Sequence, residues 1–234
     1  MNYETLKETV YQANMGLNEA GLVTLTWGNA SGVNRELGVM AIKPSGVSYD
    51  VLKPSDIVIQ SIETGEVVEG SLRPSSDAPT HLVLYRAFSE IGGVVHTHSS
   101  YATSWAQACL EIPPFGTTHA DHFSGPVPLT RQLTEQEIQE AYEENTGRII
   151  IERFQTPEQI SPLHFPGVLV PFHGPFTWGE SPEKALQNAV ALETIALMAV
   201  TTLAVNPKGS HIPDSLLNKH FQRKHGKNAY YGQK

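Results

Sequence analysis

The chain has 234 residues, 40% of them hydrophobic and 17% charged, an ordinary globular composition with enough length to bury a full core unaided. Its 16 Lys and Arg against 24 Asp and Glu leave a formal charge of −8, and the one dense basic stretch, residues 219–227, is too short to make a nucleic-acid binder. The single cysteine, Cys109, excludes an internal disulfide framework and a cysteine-based zinc finger.

In chain order, Leu6, Val10, Ala13 and Leu17 recur at helical spacing ahead of Gly21, so the pattern predicts an amphipathic helix over 4–19. Residues 23–26 read as a short strand and 27–32 as a loop. Strands are predicted at 39–42 and 57–62, the second turning at Thr64-Gly65 into a hairpin with 66–69. A helix over 78–88 follows Ser76-Asp77. The β-branched Val94, Val95 and Thr97 predict a strand over 93–98, and Ser99 or Ser100 caps a helix running to about Leu110. Residues 113–128 read as irregular. Thr134 and Glu137 form a capping box for a helix over 134–145, residues 148–154 fit helix or strand, and 155–166 read as a connecting loop. A buried strand is predicted over 167–172, a long helix over 181–205 with Pro182 in its first turn, and a last helix over 213–225. The expectation is a single α/β domain over 1–234, with a mostly antiparallel central β-sheet flanked by helices. Early charges at Glu4, Lys7 and Glu8 do not suit a signal peptide, and the longest apolar stretch, 195–205, is short for a membrane span. A cytoplasmic protein with neither nucleic-acid nor membrane partners is therefore expected.

His96-Thr97-His98 ends an apolar strand. Residues i and i+2 of a strand share a face, so both imidazoles point to one place, as a divalent metal such as zinc requires. Two ligands do not complete a site. His173, at the end of a second apolar strand, and Asp77, at a helix start, are the candidates for the others; a helix cap is the plainer role for Asp77. Other architectures with this histidine pair fit poorly: residues 99–101 are Ser-Ser-Tyr rather than the ligands a metallo-β-lactamase needs, and a helix pattern follows where a cupin continues as strand.

Three loops expose small polar groups: Gly28-Asn29, Ser45-Gly46 with Lys43 ahead, and Ser75-Ser76. Backbone N–H groups and hydroxyls in such loops can hold a phosphate without a P-loop, although the same residues dominate ordinary turns. A further polar cluster, Thr117-Thr118-His119-Ala120-Asp121, contains a carboxylate suited to proton transfer, and the tail Tyr230-Tyr231 offers phenols for the same task.

Together with Thr26-Trp27-Gly28-Asn29, Lys43-Pro44-Ser45-Gly46, Pro74-Ser75-Ser76-Asp77, His173-Gly174-Pro175-Phe176, Arg223-Lys224-His225-Gly226 and Tyr230-Tyr231-Gly232-Gln233, these segments resemble the class II (zinc) aldolase/epimerase family, in family order over nearly the whole chain. The resemblance implies a metal site of Asp77, His96, His98 and His173, holding zinc or alternatively manganese or cobalt. It implies substrate and phosphate contacts from Gly28, Asn29, Lys43, Ser45, Gly46, Ser75 and Ser76, with Thr117 and His220 lining the pocket. It assigns acid–base chemistry to Asp121 and Tyr231, which would reach the site from a neighbouring subunit of a homotetramer. The implied substrate is a phosphopentose, and the implied reaction a 4-epimerisation by cleavage and re-formation of a carbon–carbon bond, in arabinose or ascorbate breakdown. A sugar-phosphate aldolase and a non-catalytic adducin-like scaffold are the alternatives; a scaffold would have lost metal ligands that are all present here.

Overall fold

The computed structural model describes residues 2–155 and 161–231. Part of the connecting loop over 155–166, and Gly232 and Gln233 of the tail motif, thus lie outside the described residues.

Among the described residues the chain forms α1 (Tyr3–Glu19), β1 (Asn29–Asn34), β2 (Val39–Ile42), β3 (Val58–Ser61), β4 (Val67–Glu69), α2 (Ala78–Ala87), β5 (Gly93–His96), α3 (Ser100–Gln107), α4 (Thr117–Ala120), α5 (Glu135–Phe154), β6 (Gly167–Val170), β7 (Gly174–Gly179), α6 (Pro182–Val205) and α7 (Asp214–His225). The strands make one seven-stranded sheet in the order β4-β3-β2-β1-β5-β7-β6, and every neighbouring pair is antiparallel. This is the α/β architecture with an antiparallel central sheet that the sequence predicts.

Alternation along the strands divides the core between the two faces. Met40, Ile42, Val94, Phe176 and Trp178 pack with Leu82 and Tyr85 of α2 and Ile149, Ile150 and Phe154 of α5. On the opposite face Val39, Ala41, Ile57 and Ile59 pack with Leu6 and Val10 of α1, while Ala30 and Val95 meet Ala13, Leu17, Ala185 and Ala189. Helix α6 is 24 residues long, and its most apolar 18-residue window has a mean hydropathy of 1.7, enough by length and composition to cross a membrane. Its inner stripe, including Ala185, Ala189, Leu192, Ile195 and Ala196, is nonetheless buried against the rest of the fold.

The central strands depart from the sequence expectation. No strand forms over 23–26: Leu25 takes φ +56° and is exposed, and the Trp27 N–H bonds to the Thr24 carbonyl in a turn. The predicted loop 27–32 instead supplies most of β1. Its Asn-Ala-Ser-Gly sequence reads as a turn, but the residues are small because helices crowd it: a Cβ on Gly32 would meet Pro182 of α6 and Val10 of α1. Strand β7, of which residues 174 and 175 read only as a turn, is hidden in the same way by Gly174-Pro175. The 167–172 strand ends at Val170, because Phe172 takes φ +60°.

Helix α5 joins the two predicted segments across a break at Ala141, where φ is −158° and ψ is 68°. The Glu137 carbonyl, whose helical partner would be Ala141, accepts instead from Asn145 Nδ2 at 2.9 Å, and just past the break Thr80 Oγ1 donates to the Glu143 carbonyl at 2.6 Å. The capping box of Thr134 and Glu137 forms as expected.

Where β5 begins, Gly92 and Gly93 run against the chain entering α6, and a Cβ on Gly93 would strike the Pro182 backbone. Neither backbone can yield without moving β5 or α6. Gly93→Ala is therefore expected to destabilise the fold by about 1–3 kcal/mol, read as a lower midpoint in thermal or urea unfolding; an unchanged midpoint would contradict this packing.

Candidate active site

Strand β5 delivers His96 at its last residue, and His98 follows two residues later in extended chain. The strand is shorter than predicted, but the two imidazoles still converge, with their Nε2 atoms 3.0 Å apart. His173 enters from the turn between β6 and β7, and its ring centroid lies 4.6 Å from that of His96 and 5.2 Å from that of His98. One ring nitrogen from each of these three histidines falls within 4.8 Å of the others. The intervening Thr97 turns away and bonds to Ser99.

The surroundings leave these rings in a form that could ligate a metal. His96 Nδ1 donates to the Pro175 carbonyl at 3.0 Å, which leaves the Nε2 lone pair facing the cluster, and the ring is stacked on Phe176. Burial, and then the proximity of His96, hold His98 below its ordinary pKa and push His173 down to about 3. These two imidazoles are thus neutral at neutral pH, the form that binds metal. Tyr142 Oη lies 3.3 Å from His173 Nδ1.

Asp77 stands at the start of α2 as its N-cap residue, but its side chain makes no capping bond. Its carboxylate instead accepts from Asn29 Nδ2 at 2.7 Å. Burial works to raise its pKa, but His96, His81, the Asn29 amide and His173 outweigh that and keep it below the usual carboxylate value. Asp77 lies outside the tight three-histidine group yet lines the same cleft as His98 and His173. Three imidazoles beside an ionised carboxylate form a donor set that suits zinc, and manganese or cobalt as well.

The cleft has a volume of about 600 Å3 and brings Gly28, Asn29, Lys43, Ser45, Gly46, Ser75, Ser76, Asp77, His98 and His173 to one wall-to-wall space. Lys43 is 1% exposed and its Nζ donates to the Val47 carbonyl at 2.6 Å. It lies over the Tyr49 ring with no carboxylate bonded to it among the described residues, and burial pushes its pKa down to about 8. Asn29 Oδ1 is buried without a hydrogen-bond partner among the described residues. A buried cation and an orphaned polar atom beside small-residue loops make an environment that an oxygen-rich anion would complete. A hollow of similar size against α6 is lined mainly by apolar groups such as Phe115, Ile195 and Met198 and lacks this chemistry.

Asp121, Thr117, His220 and Tyr231 are not among the residues lining the cleft. Asp121 caps α4 and is held by α7: Arg223 donates to both carboxylate oxygens, at 3.1 and 2.7 Å, and His220 Nδ1 lies 3.1 Å away. Burial opposes ionisation of Asp121, but these bonds outweigh it and lower its pKa. Tyr231 folds back over α7, its N–H bonded to the Arg223 carbonyl and its ring 4.9 Å from the Arg223 guanidinium. Asp121 and Tyr231 are thus joined through one arginine, and neither lines the cleft.

Thr26, Trp27, Pro44, Tyr142 and Glu143 also line the cleft. The first three adjoin expected residues, whereas Tyr142 and Glu143 reach it from beside the break in α5, which no residue pattern announces.

Residues 8–200 match the Class II Aldolase and Adducin N-terminal domain family. Among solved structures, the chain is similar to an L-fuculose 1-phosphate aldolase at 25% identity, covering 94% of this chain and 95% of that one with a TM-score of 0.78. An aldolase II superfamily protein from Pseudomonas syringae (16% identity, 94% and 84% covered, TM-score 0.75) and an L-fuculose-1-phosphate aldolase from Thermus thermophilus (22% identity, 88% and 98% covered, TM-score 0.66) share the fold. With its family match spanning most of the sequence, the chain belongs to the class II aldolase and adducin N-terminal domain family.

Proposed function

We propose that the chain is a metal-dependent L-ribulose-5-phosphate 4-epimerase, interconverting L-ribulose 5-phosphate and D-xylulose 5-phosphate. The observation that carries this reading is that one cleft joins a convergent histidine set to a buried, carboxylate-free lysine among small polar loops. Such a cleft fits a short substrate with chelating oxygens at one end and a phosphate at the other. Asp77 favours the epimerase over the aldolases of the family, which carry a glutamate base at this place, as do the Thr118-His119-Ala120-Asp121 and Tyr230-Tyr231-Gly232-Gln233 segments.

The C4 proton of a 2-ketopentose is not adjacent to the carbonyl and is not acidic, and the sequence has no G-x-G-x-x-G for a nicotinamide route. Cleavage of C3–C4 and re-addition to the other face of the aldehyde remains. Asp77, His96, His98 and His173 would hold a metal, zinc in the first place, which supplies Lewis acidity to the substrate oxygens at C2 and C3. Lys43, with Ser45, Gly46, Ser75 and Ser76, grips the phosphate so that the two-carbon aldehyde turns without escaping. Asp121, kept ionised by Arg223 and His220, accepts the C4 hydroxyl proton, and Tyr231 returns one to the new alkoxide, with Thr117 and His220 lining that side. Because this pair lies away from its own chain's cleft, it would act on a neighbouring subunit of a homotetramer. Arabinose or ascorbate breakdown would use the reaction.

A second reading, a sugar-phosphate aldolase, is favoured by the 25% identity to an L-fuculose 1-phosphate aldolase. Incubation with L-ribulose 5-phosphate, followed by NMR, distinguishes the two. Formation of D-xylulose 5-phosphate that stops with a strong chelator is expected; accumulation of free two- and three-carbon fragments would make the enzyme an aldolase.

Asp121→Asn and Tyr231→Phe are each expected to lower turnover by about 10²–10⁴-fold with metal content unchanged, measured by NMR and metal analysis. Wild-type turnover in both would remove them from the acid–base roles.

Lys43 carries its charge below its folded pKa of about 8 and loses it above. Sulfate, whose charge is constant there, is therefore expected to bind progressively more weakly above pH 8, by up to about tenfold per pH unit. Titration calorimetry from pH 6.5 to 9.5 measures this, and a flat profile would show that Lys43 does not hold the anion.

A further inference from the structure

Two walls of the cleft meet on one buried side chain that the proposed chemistry leaves unused. Tyr49 follows the 43–46 loop in the chain, is 3% exposed and is not among the residues lining the cleft. Its hydroxyl donates to the Gly28 carbonyl at 2.9 Å, with the Trp27 carbonyl 3.3 Å away. A carbonyl only accepts, so the phenol is the donor, and burial raises its pKa, which keeps that proton in place. Its ring lies under Lys43, with the centroid 4.8 Å from Nζ. One residue thus touches both the segment that enters β1 and the segment that leaves β2, and both of those segments line the cleft.

Each contact has a consequence for the anion end of the cleft. The Lys43 ammonium also meets the carbonyls of Val47 and Pro44, at 2.6 and 3.5 Å, and no carboxylate among the described residues. A carboxylate would hold the ammonium but cancel its charge. A ring face attracts a cation through its quadrupole and carries no net charge, so it holds the ammonium and leaves it able to draw an anion. The hydroxyl acts on shape instead. Gly28 takes φ +79°, and a Cβ there would meet the His96 carbonyl at 3.0 Å, so the loop that Tyr49 holds also runs against β5. A side chain that only filled volume at this place would need neither a donor at Gly28 nor a ring face under the cation.

We propose that Tyr49 is a positioning residue for the anion pocket, its ring face holding the Lys43 ammonium without neutralising it and its hydroxyl fastening the 26–29 segment to the same point. The proposal rests on the reading of this cleft as an anion site and adds the residue that keeps its two sides together.

The test is titration calorimetry of the full chain with sulfate, across the range from about pH 6.5 to 9.5. Tyr49→Phe keeps the ring and loses the hydroxyl; it is expected to weaken sulfate binding by about 2–10-fold and to leave in place the pH above which binding fades. Tyr49→Leu loses the ring face as well. It is expected to weaken binding by a further factor of about 2–30, and to move that pH downward, because the ring favours the charged form of Lys43 and its loss lowers the lysine's pKa. Asp77, His98, Tyr142, Glu143 and His173, the other titratable groups lining the cleft, are the same in every variant, so the difference between profiles belongs to Lys43. In a Lys43→Met background the further loss from Phe to Leu at position 49 should vanish. A folded Tyr49→Phe or Tyr49→Leu protein that binds sulfate like the parent, a Tyr49→Leu protein that keeps the parent's pH profile, or a further loss that persists without Lys43 overturns the proposal. Should Tyr49→Leu fail to fold, a fluorinated phenylalanine at position 49, which keeps the ring's shape and depletes its negative face, must lower the pH of the fade relative to Tyr49→Phe, and an unmoved profile refutes the role. A parent that binds no sulfate, or a Lys43→Met protein that binds it as well as the parent, would instead bring down the anion-site reading, and the proposal with it.

Discussion

Strand β5, held between β1 and β7, is the constraint on which the site depends. Its register sets Asn29 opposite His96 on one side and Phe176 opposite His96 on the other. From that alignment follow the Pro175 carbonyl that fixes the His96 tautomer, the phenylalanine that braces its ring, and the position of the amide that holds Asp77. A slip of one residue would send His96 to the opposite face and dissolve the cluster. The glycines at the start of β5 make that slip costly, because only their bare backbones fit against the chain entering α6.

The same centre is built for electrostatics rather than for apolar packing alone. Neutral imidazoles, an ionised carboxylate and a buried ammonium occupy one cleft, and one of the buried polar atoms without a partner among the described residues, Asn29 Oδ1, belongs to a residue that lines it. Groups of this kind are costly in a resting protein and useful when a ligand or metal completes them. On the reading proposed, the fold tolerates that cost because large apolar clusters on both faces of the sheet carry the stability.

The candidate groups fall in two regions of one chain. The cleft holds the candidate metal ligands and the candidate anion pocket, whereas Asp121 and Tyr231 gather around Arg223 on α7. That arginine keeps the carboxylate charged and also seats the tyrosine ring, so the two proposed proton carriers are organised as one unit before any partner surface meets them.

Much of the site was legible in the chain itself. The period of two puts His96 and His98 on one side whether or not the strand continues, and small residues around Lys43 announce exposed backbone whatever the fold. The helices α1, α2, α6 and α7 were equally legible, since caps and periodicity are local properties. Strands β1 and β7 were not, because Asn-Ala-Ser-Gly and Gly-Pro resemble turns, and residue size there is set by distant contacts: α1 and α6 against Gly32, and the Thr97 carbonyl against Gly174. The break at Ala141, which brings Tyr142 and Glu143 to the cleft, depends on Thr80 and Asn145 supplying bonds from elsewhere. The sequence by itself thus determined which candidate groups are present and which of them lie on a common face. Only the tertiary structure decided which distant segments meet, because strand register, helix crowding and the pairing of orphaned polar atoms are set between parts of the chain that share no local pattern.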